Sequence, residues 1–175
     1  MAWHAEARFC PLCGQPLGER DSEEVIRKAC TSCRYSLYPN PGTAVGALVL
    51  RGRALVLVQR RIEPYRGCWG FPAGYQEYHE TPEECVVRET FEETGIRIRL
   101  LDLFEVSYTR DDPRKRANLL VYRAVALDGV LEAGPDVMDV DWFALDSLPE
   151  KIAFENNARI LEDLRLRYPT GPIEP

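Results

Sequence analysis

The strongest constraint on what this chain can fold into is a helix whose two ends are written into the sequence. Thr81-Pro82-Glu83-Glu84 supplies a capping residue, a proline suited to the first helical position and a glutamate that closes a capping box. Gly95 supplies the stop. Between these ends, Glu89, Glu92 and Glu93 fall at i, i+3, i+4 and share one face. Val87, Thr90, Phe91 and Thr94 lie roughly opposite and are expected to anchor the helix. Three like charges on one face repel. They read either as an acidic face turned to water or as a site for a divalent cation, because hard cations such as Mg²⁺ take oxygen ligands. Gly74 begins the loop that leads in, where a missing Cβ lets backbone approach a ligand.

The spacing Gly-x5-Glu-x7-Arg-Glu-x-x-Glu-Glu-x-Gly-x over residues 74–96 resembles the Nudix box. Gly74, Glu80, Arg88, Glu89, Glu92, Glu93, Gly95 and Ile96 occupy its fixed positions. Thr90 departs from the usual aliphatic residue, and His79 stands where many members carry a small one. The approach Trp69-Gly70-Phe71-Pro72-Ala73-Gly74 and the later Asp141-Trp142-Phe143 and Leu148-Pro149 are similar to the same family. The resemblance implies an α/β fold, an α/β/α sandwich on a mixed sheet, and an enzyme that hydrolyses a diphosphate joined to another group.

By the same resemblance, Glu89, Glu92 and Glu93 bind Mg²⁺ or Mn²⁺, with the carbonyl of Gly74 as a further ligand. Glu80 either supports these ligands or binds one metal. Arg88 orients a box glutamate through a charge-assisted hydrogen bond, with an i, i+4 helix pair to Glu84 as the alternative. Glu92 or Glu93 serves as general base, the two not being separable at this level. Asp139, three residues before Trp142, is a further metal candidate, and otherwise an exposed strand acid.

The cysteines add a second constraint. Cys10-x2-Cys13 and Cys30-x2-Cys33 are two CxxC pairs separated by 16 residues, the spacing of a four-cysteine zinc site. Disulfides are the competing reading, disfavoured because the chain reads as intracellular. A closed set of four thiolates leaves no open position, so such a Zn²⁺ is structural. Zinc would also supply folding energy that so short a segment cannot draw from a core. The segment resembles the zinc ribbon attached to some Nudix hydrolases. The breaker cluster Tyr38-Pro39-Asn40-Pro41-Gly42 then divides the chain into a ribbon at 1–38 and a Nudix domain at 39–175. Cys85, one turn before Glu89, reads as a small packed residue.

A net charge of −6 argues against broad nucleic-acid binding through phosphates. It does not oppose a small phosphate substrate, because bound metal supplies local positive charge. Arg60, Arg61 and Arg66 cluster before the box as candidates to meet phosphates, or as solvated surface charges. Phe154, Tyr65 and Tyr108 are candidates to stack on a base. No apolar run approaches a membrane span, and residues 1–8 lack the apolar core of a signal peptide, so a cytoplasmic location without membrane contact is expected. A homodimer is compatible with the resemblance, although no stripe marks an interface.

Elsewhere, the apolar runs 43–50 and 54–59 flank Arg51-Gly52-Arg53 as a hairpin signal. Strands are expected at 96–109, 118–127 and 137–145, a charged loop at 110–116, and a helix at 154–168 from the spacing of Ile160, Leu161 and Leu164. The tail at 169–175 is expected to fray.

Among zinc-ribbon members, NADH pyrophosphatases follow the box with a motif like S-Q-P-W-P-F-P-x-S. Residues 103–109 here read LFEVSYT, a poor match. Tyr38-x-Asn40-Pro41, Pro72-Ala73-Gly74-Tyr75, Phe143-Ala144-Leu145-Asp146 and Ile152-Ala153-Phe154 are similar instead to plant-type ADP-ribose/FAD pyrophosphatases. ADP-ribose or FAD is therefore the preferred substrate, and NADH or NAD the alternative. A non-catalytic metabolite sensor is the alternative of another class. Such proteins often lose box glutamates, and this chain keeps all of them.

Overall fold

The computed structural model describes residues 3–22, 25–112 and 116–170. Residues 113–115 of the expected charged loop and most of the expected frayed tail lie outside them. The chain divides into two compact units, Met1–Pro41 and Gly42–Pro175.

The first unit has a single turn of helix, α1 (Trp3–Glu6), and an antiparallel hairpin of β1 (Leu17–Ser22) and β2 (Val25–Cys30). Its interior is small: Cys10, Ala29, Cys30 and Leu37 are buried, while Phe9, Leu12 and Ile26 stay exposed. Four thiols gather where the core would be. Cys10 Sγ lies 3.7 Å from Cys33 Sγ, and Cys13 Sγ lies 3.5 Å from Cys30 and 3.7 Å from Cys33. Four sulfurs held tetrahedrally at the usual Zn–S distance of about 2.3 Å stand about 3.8 Å apart. Disulfide sulfurs would be at about 2.05 Å, and all six cysteines are free. The amides of Ser32 and Cys33 each donate to Cys30 Sγ at 3.3 Å. The Ser32 hydrogen bond is the main reason the Cys30 thiol is brought down to about 6, so it is prepared to bind metal as thiolate. The cluster is compatible with zinc.

The second unit carries seven strands: β3 (Gly42–Arg51), β4 (Ala54–Arg60), β5 (Trp69–Gly70), β6 (Ala73–Tyr75), β7 (Ile96–Thr109), β8 (Ala117–Gly129) and β9 (Val137–Ala144). Among the described residues two helices accompany them, α2 (Pro82–Thr94) and α3 (Glu155–Arg167). The β3–β4 turn forms at Gly52, which takes a φ of 60°. The hairpin it starts is short, because only Leu50↔Leu55 and Arg51↔Ala54 pair. The strands then part. β3 runs parallel to β8 from Gly42↔Ala117 to Leu50↔Val125 and antiparallel to β6. β4 pairs antiparallel with β9 and β5. β7 closes the far edge against β8.

β3 is buried continuously from Val45 to Leu50 because both its faces are covered. Val45, Ala47 and Val49 pack with Cys85 and Val86 of α2, beside Ile96, Tyr122 and Ala124. Leu48 and Leu50 pack with Leu119, Val121 and the α3 residues Ile160, Leu161 and Leu164. The two helices therefore cover opposite faces of a mixed sheet, the expected α/β/α layering. Truncating any of these α3 residues to alanine would cost on the order of 2–5 kcal/mol.

The ends of α2 are as its sequence predicts. The Glu84 amide donates to the Thr81 hydroxyl at 3.2 Å, and the Thr81 amide donates to the Glu84 carboxylate at 2.8 Å. Gly95 is left-handed at φ 71°. The anchoring face is rotated from expectation. Cys85, Val86, Thr90 and Thr94 are buried, whereas Val87 and Phe91 are exposed. Buried threonine is tolerated because each hydroxyl donates one turn back, Thr90 to the Val86 carbonyl at 2.7 Å and Thr94 to the Thr90 carbonyl at 2.6 Å.

Candidate functional site

The orientation of α2 turns Glu89 and Glu93 toward the sheet and leaves Glu92 exposed. β6 hangs on β3 through Val45↔Gly74, which lays Gly74 directly against the helix. A Cβ on Gly74 would sit 2.0 Å from Glu89 Cδ and 2.2 Å from both carboxylate oxygens. Only glycine lets the strand and this carboxylate meet. Burial pushes the Glu89 carboxyl up, against the pull of Arg88.

Arg88 is the organiser of the box. Its Nε and one terminal nitrogen donate to the two Glu80 oxygens at 3.0 and 2.6 Å. The other nitrogen donates to Glu89 at 2.9 Å and Glu92 at 3.0 Å. The alternative pairing with Glu84 is not used, since Glu84 is turned to its capping partner. The forked bond from Arg88, helped by the Glu77 amide at 2.8 Å, holds the Glu80 carboxyl down at about 2. Glu80 therefore carries a permanent negative charge that fixes the guanidinium, and the guanidinium positions Glu89.

Glu93 accepts a hydrogen bond from the Ala73 amide at 2.9 Å. Burial pushes its carboxyl up to about 8, and the neighbouring charges of Glu89 and Asp136 push the same way. Glu89 and Glu93 line one cavity of about 560 Å³, together with Gly74, Arg60 and Asp136. Glu92 does not line it and is 55 % exposed at the side chain. The three glutamates do not converge as a ligand cluster. Among the described residues only the four cysteines do, with ligand atoms all within 4.8 Å.

The remaining sequence candidates divide. Arg60 lines the cavity; its Nε donates to the Pro64 carbonyl at 3.0 Å and its guanidinium lies 4.9 Å over the Phe154 ring. Arg61 is spent on the Val137 carbonyl at 2.6 and 3.0 Å, and Arg66 is exposed outside the cavity. Asp139 is exposed on β9, accepts from the adjacent Val140 amide and does not line the cavity. Asp136, just ahead of that strand, does. Phe154 lines the cavity, its ring 4.7 Å from Tyr65. Tyr65 and Tyr108 do not line it.

Phe154 is held by an arrangement that no sequence pattern announces. Residues 151–153 run beside β5, with the Trp69 amide donating to the Lys151 carbonyl at 2.8 Å and the Ala153 amide to the Trp69 carbonyl at 2.7 Å. Phe154 then takes a φ of 60°, a conformation costly for a side-chain-bearing residue. Asp111 caps α3 from a distant loop, accepting from the Glu155 amide at 2.8 Å and from the Tyr65 hydroxyl at 3.3 Å. Within the first turn of α3, Asn157 is 7 % exposed and also lines the cavity.

The donor set suits a hard cation. Two carboxylates lie half-buried on one cavity wall, both pushed toward neutrality by lost solvation. Nearby positive charge would restore their ionised form. Ala44, Phe71 and Leu119 line the same cavity, and Ala44 and Leu119 sit beside Gly74 in the sheet. The cavity therefore combines acids that suit a metal and phosphates with apolar surface.

Comparison with known proteins agrees. A model of the NUDIX domain matches residues 40–164. The ADP-ribose pyrophosphatase of Methanocaldococcus jannaschii is 35 % identical, over 88 % of this chain and 89 % of that protein. The NAD-capped RNA hydrolase NudC of Pseudomonas aeruginosa is 32 % identical over 99 % of this chain, which spans only 60 % of that longer relative. Among solved structures, a NUDIX hydrolase from Nitrosomonas europaea superposes with a TM-score of 0.81 at 31 % identity, covering 89 % of each chain.

Proposed function

The chain belongs to the NUDIX family of hydrolases, and from that premise we propose that it hydrolyses the diphosphate bond of ADP-ribose or a similar nucleoside diphosphate derivative. The products are a nucleoside monophosphate and a second phosphate. The observation that carries this reading is the pairing of Glu89 and Glu93 on the wall of a cavity that apolar residues also line.

Nudix enzymes generally use divalent metals. Here Glu89 and Glu93, with the Gly74 carbonyl, would hold Mg²⁺ or Mn²⁺, and Glu92 at the rim and Glu80 behind Arg88 complete the acidic set. Such an ion, when bound, neutralises phosphate oxygens and favours ionisation of water. The chain's own residues do the rest. Arg88 keeps the box carboxylates in place, and Arg60 is the arginine positioned to meet a phosphate oxygen. Of the two candidate bases, the placement of Glu93 inside the cavity favours it over the exposed Glu92. The cavity lining favours Asp136 over Asp139 as the late acid, and Arg60 over Arg61 and Arg66 for the phosphates.

The four-cysteine cluster is proposed to hold one structural Zn²⁺, in a ribbon over residues 1–38 ahead of a Nudix domain at 39–175. Among the described residues no helix is long and apolar enough to cross a membrane. A cytoplasmic location and a homodimer complete the proposal, the latter tested by light scattering.

The NudC relatives favour a second reading, hydrolysis of an NAD-type diphosphate. The sequence LFEVSYT at residues 103–109 weighs against it. One assay separates the readings: phosphate released after added phosphatase from ADP-ribose, FAD, NADH, NAD⁺ and nucleoside triphosphates, with Mg²⁺ or Mn²⁺ and with chelator. Metal-dependent turnover led by ADP-ribose or FAD supports the first. NADH or NAD⁺ as the best substrate establishes the second. Binding without turnover of any compound would make the protein a sensor.

A further inference from the structure

We propose that Asn157 determines the base specificity of this site by reading the amino edge of adenine. The inference rests on the diphosphate-hydrolase reading above and adds to it a recognition group. Asn157 is buried, lines the cavity and carries a carboxamide that makes no hydrogen bond to any described residue. The neighbouring Asn156 is different, because its amide donates to the Ser107 hydroxyl at 3.3 Å and to the Tyr108 carbonyl at 3.4 Å. Among the described residues no enclosed side-chain nitrogen or oxygen lacks a partner, so the Asn157 amide is open to the cavity, where a ligand can take the place of its water.

The backbone fixes where that amide points. A Cβ on Gly70 would fall 2.6 Å from Asn157 Nδ2, so the side chain lies over the glycine of β5 and leans on bare backbone. β5 is itself tied to residues 151–153, the segment leading into α3. Gly70 and Gly74 are four residues apart, which bounds their separation at about 14 Å. The carboxamide over Gly70 and the carboxylate against Gly74 are thus within reach of one nucleotide. In the same cavity, Phe71, Leu119 and Phe154 provide apolar surface for the body of a ring.

A carboxamide presents one acceptor and two donors side by side. Adenine offers the complement along one edge, an amino donor at N6 next to an acceptor at N7. Hypoxanthine replaces the amino group with a carbonyl, so this edge carries two acceptors and meets the carboxamide oxygen with repulsion. Asn157 therefore selects adenine through hydrogen-bond polarity rather than shape.

The test compares ADP-ribose with inosine diphosphoribose, in wild type and in Asn157→Ala, with thermal melting as a check on folding. Wild type is expected to favour the adenine substrate by roughly 10- to 100-fold in kcat/KM, as a bidentate amide–base pair provides. In Asn157→Ala that ratio is expected to collapse toward unity, with KM for ADP-ribose raised and kcat retained. No adenine preference in wild type overturns the proposal without reference to any variant. A preference that survives intact in folded Asn157→Ala overturns it equally. Failure of wild type to hydrolyse either compound with Mg²⁺ or Mn²⁺ overturns the hydrolase reading itself, and the proposal with it.

Discussion

Replacing Gly74 by alanine should separate activity from stability. The new methyl group would land 2.0 Å from Glu89 Cδ. Ordinary contact begins near 3.4 Å, so the carboxyl carbon must retreat by about 1.4 Å. Retreat is cheap for the fold, because the obstacle is the far end of a flexible side chain and Gly74 has a backbone conformation open to any residue. Alanine also removes freedom from the unfolded chain, worth about 0.4–1 kcal/mol toward the native state. The melting temperature should therefore hold or rise slightly. The site has no such slack: a misplacement of about 1 Å in a catalytic arrangement costs roughly 10²-fold in rate. The measurement is kcat/KM for ADP-ribose at saturating Mg²⁺, beside a thermal melt. Gly52→Ala is the converse control. Gly52 has a φ of 60° and open space around it. That variant should lose about 1–2 kcal/mol, or about 2–8 °C, with kcat unchanged. Gly74→Ala with wild-type kcat/KM would refute the idea that this contact positions Glu89.

Glu93→Gln should abolish hydrolysis while leaving the melting transition and bound zinc in place; full activity would remove Glu93 from the site. Because burial raises the Glu93 carboxyl to about 8 from an ordinary 4.5, the native state holds a proton that the unfolded state releases. Stability without added Mg²⁺ or Mn²⁺ should therefore fall as pH rises from about 4.5 to 8. Glu93→Gln should flatten that slope, which melts at several pH values will show. Arg88→Lys keeps the charge but loses the fork on Glu80, and should weaken metal-dependent activity by about 10–100-fold in titrations with Mg²⁺. Elemental analysis is expected to find one zinc per chain, and Cys30→Ser should eliminate it together with the ordered hairpin of the first unit.

What was legible in the sequence follows the reach of each interaction. The ends of α2 were legible because Thr81, Pro82, Glu84 and Gly95 act within a turn of themselves. Its buried face is less legible, because spacing alone puts Val87 and Phe91 opposite the acids, whereas Cys85 and Val86 are the residues that pack on β3 and Glu89 and Glu93 line the cavity beside them. The turn at Gly52 was legible, but not the divergence of its strands, since β8 and β9 lie far along the chain. The resemblance gives Arg88 a box glutamate as partner, and it holds Glu89 and Glu92 on its own helix; that it also grips Glu80 from the preceding loop is not visible from helix spacing. Asp136 and Asn157 belong to the cavity only because β9 and α3 converge there. Asn157 carries no local signal beyond its place in an otherwise apolar helix face.

The parallel pairing of β3 with β8 joins residues 75 positions apart, from Gly42↔Ala117 onward. Such contacts repay loop closure late, so assembly of this sheet should be slow compared with a helical domain of the same size. During synthesis the box helix leaves the ribosome well before β8 exists. Until β8 docks, β3 stands as an apolar strand with one edge unpaired, and the Gly74–Glu89 contact that depends on β3 has no fixed wall. The wall that fixes Glu89 should therefore form only once β8 has docked, and the nascent chain is most exposed to aggregation in the interval before it.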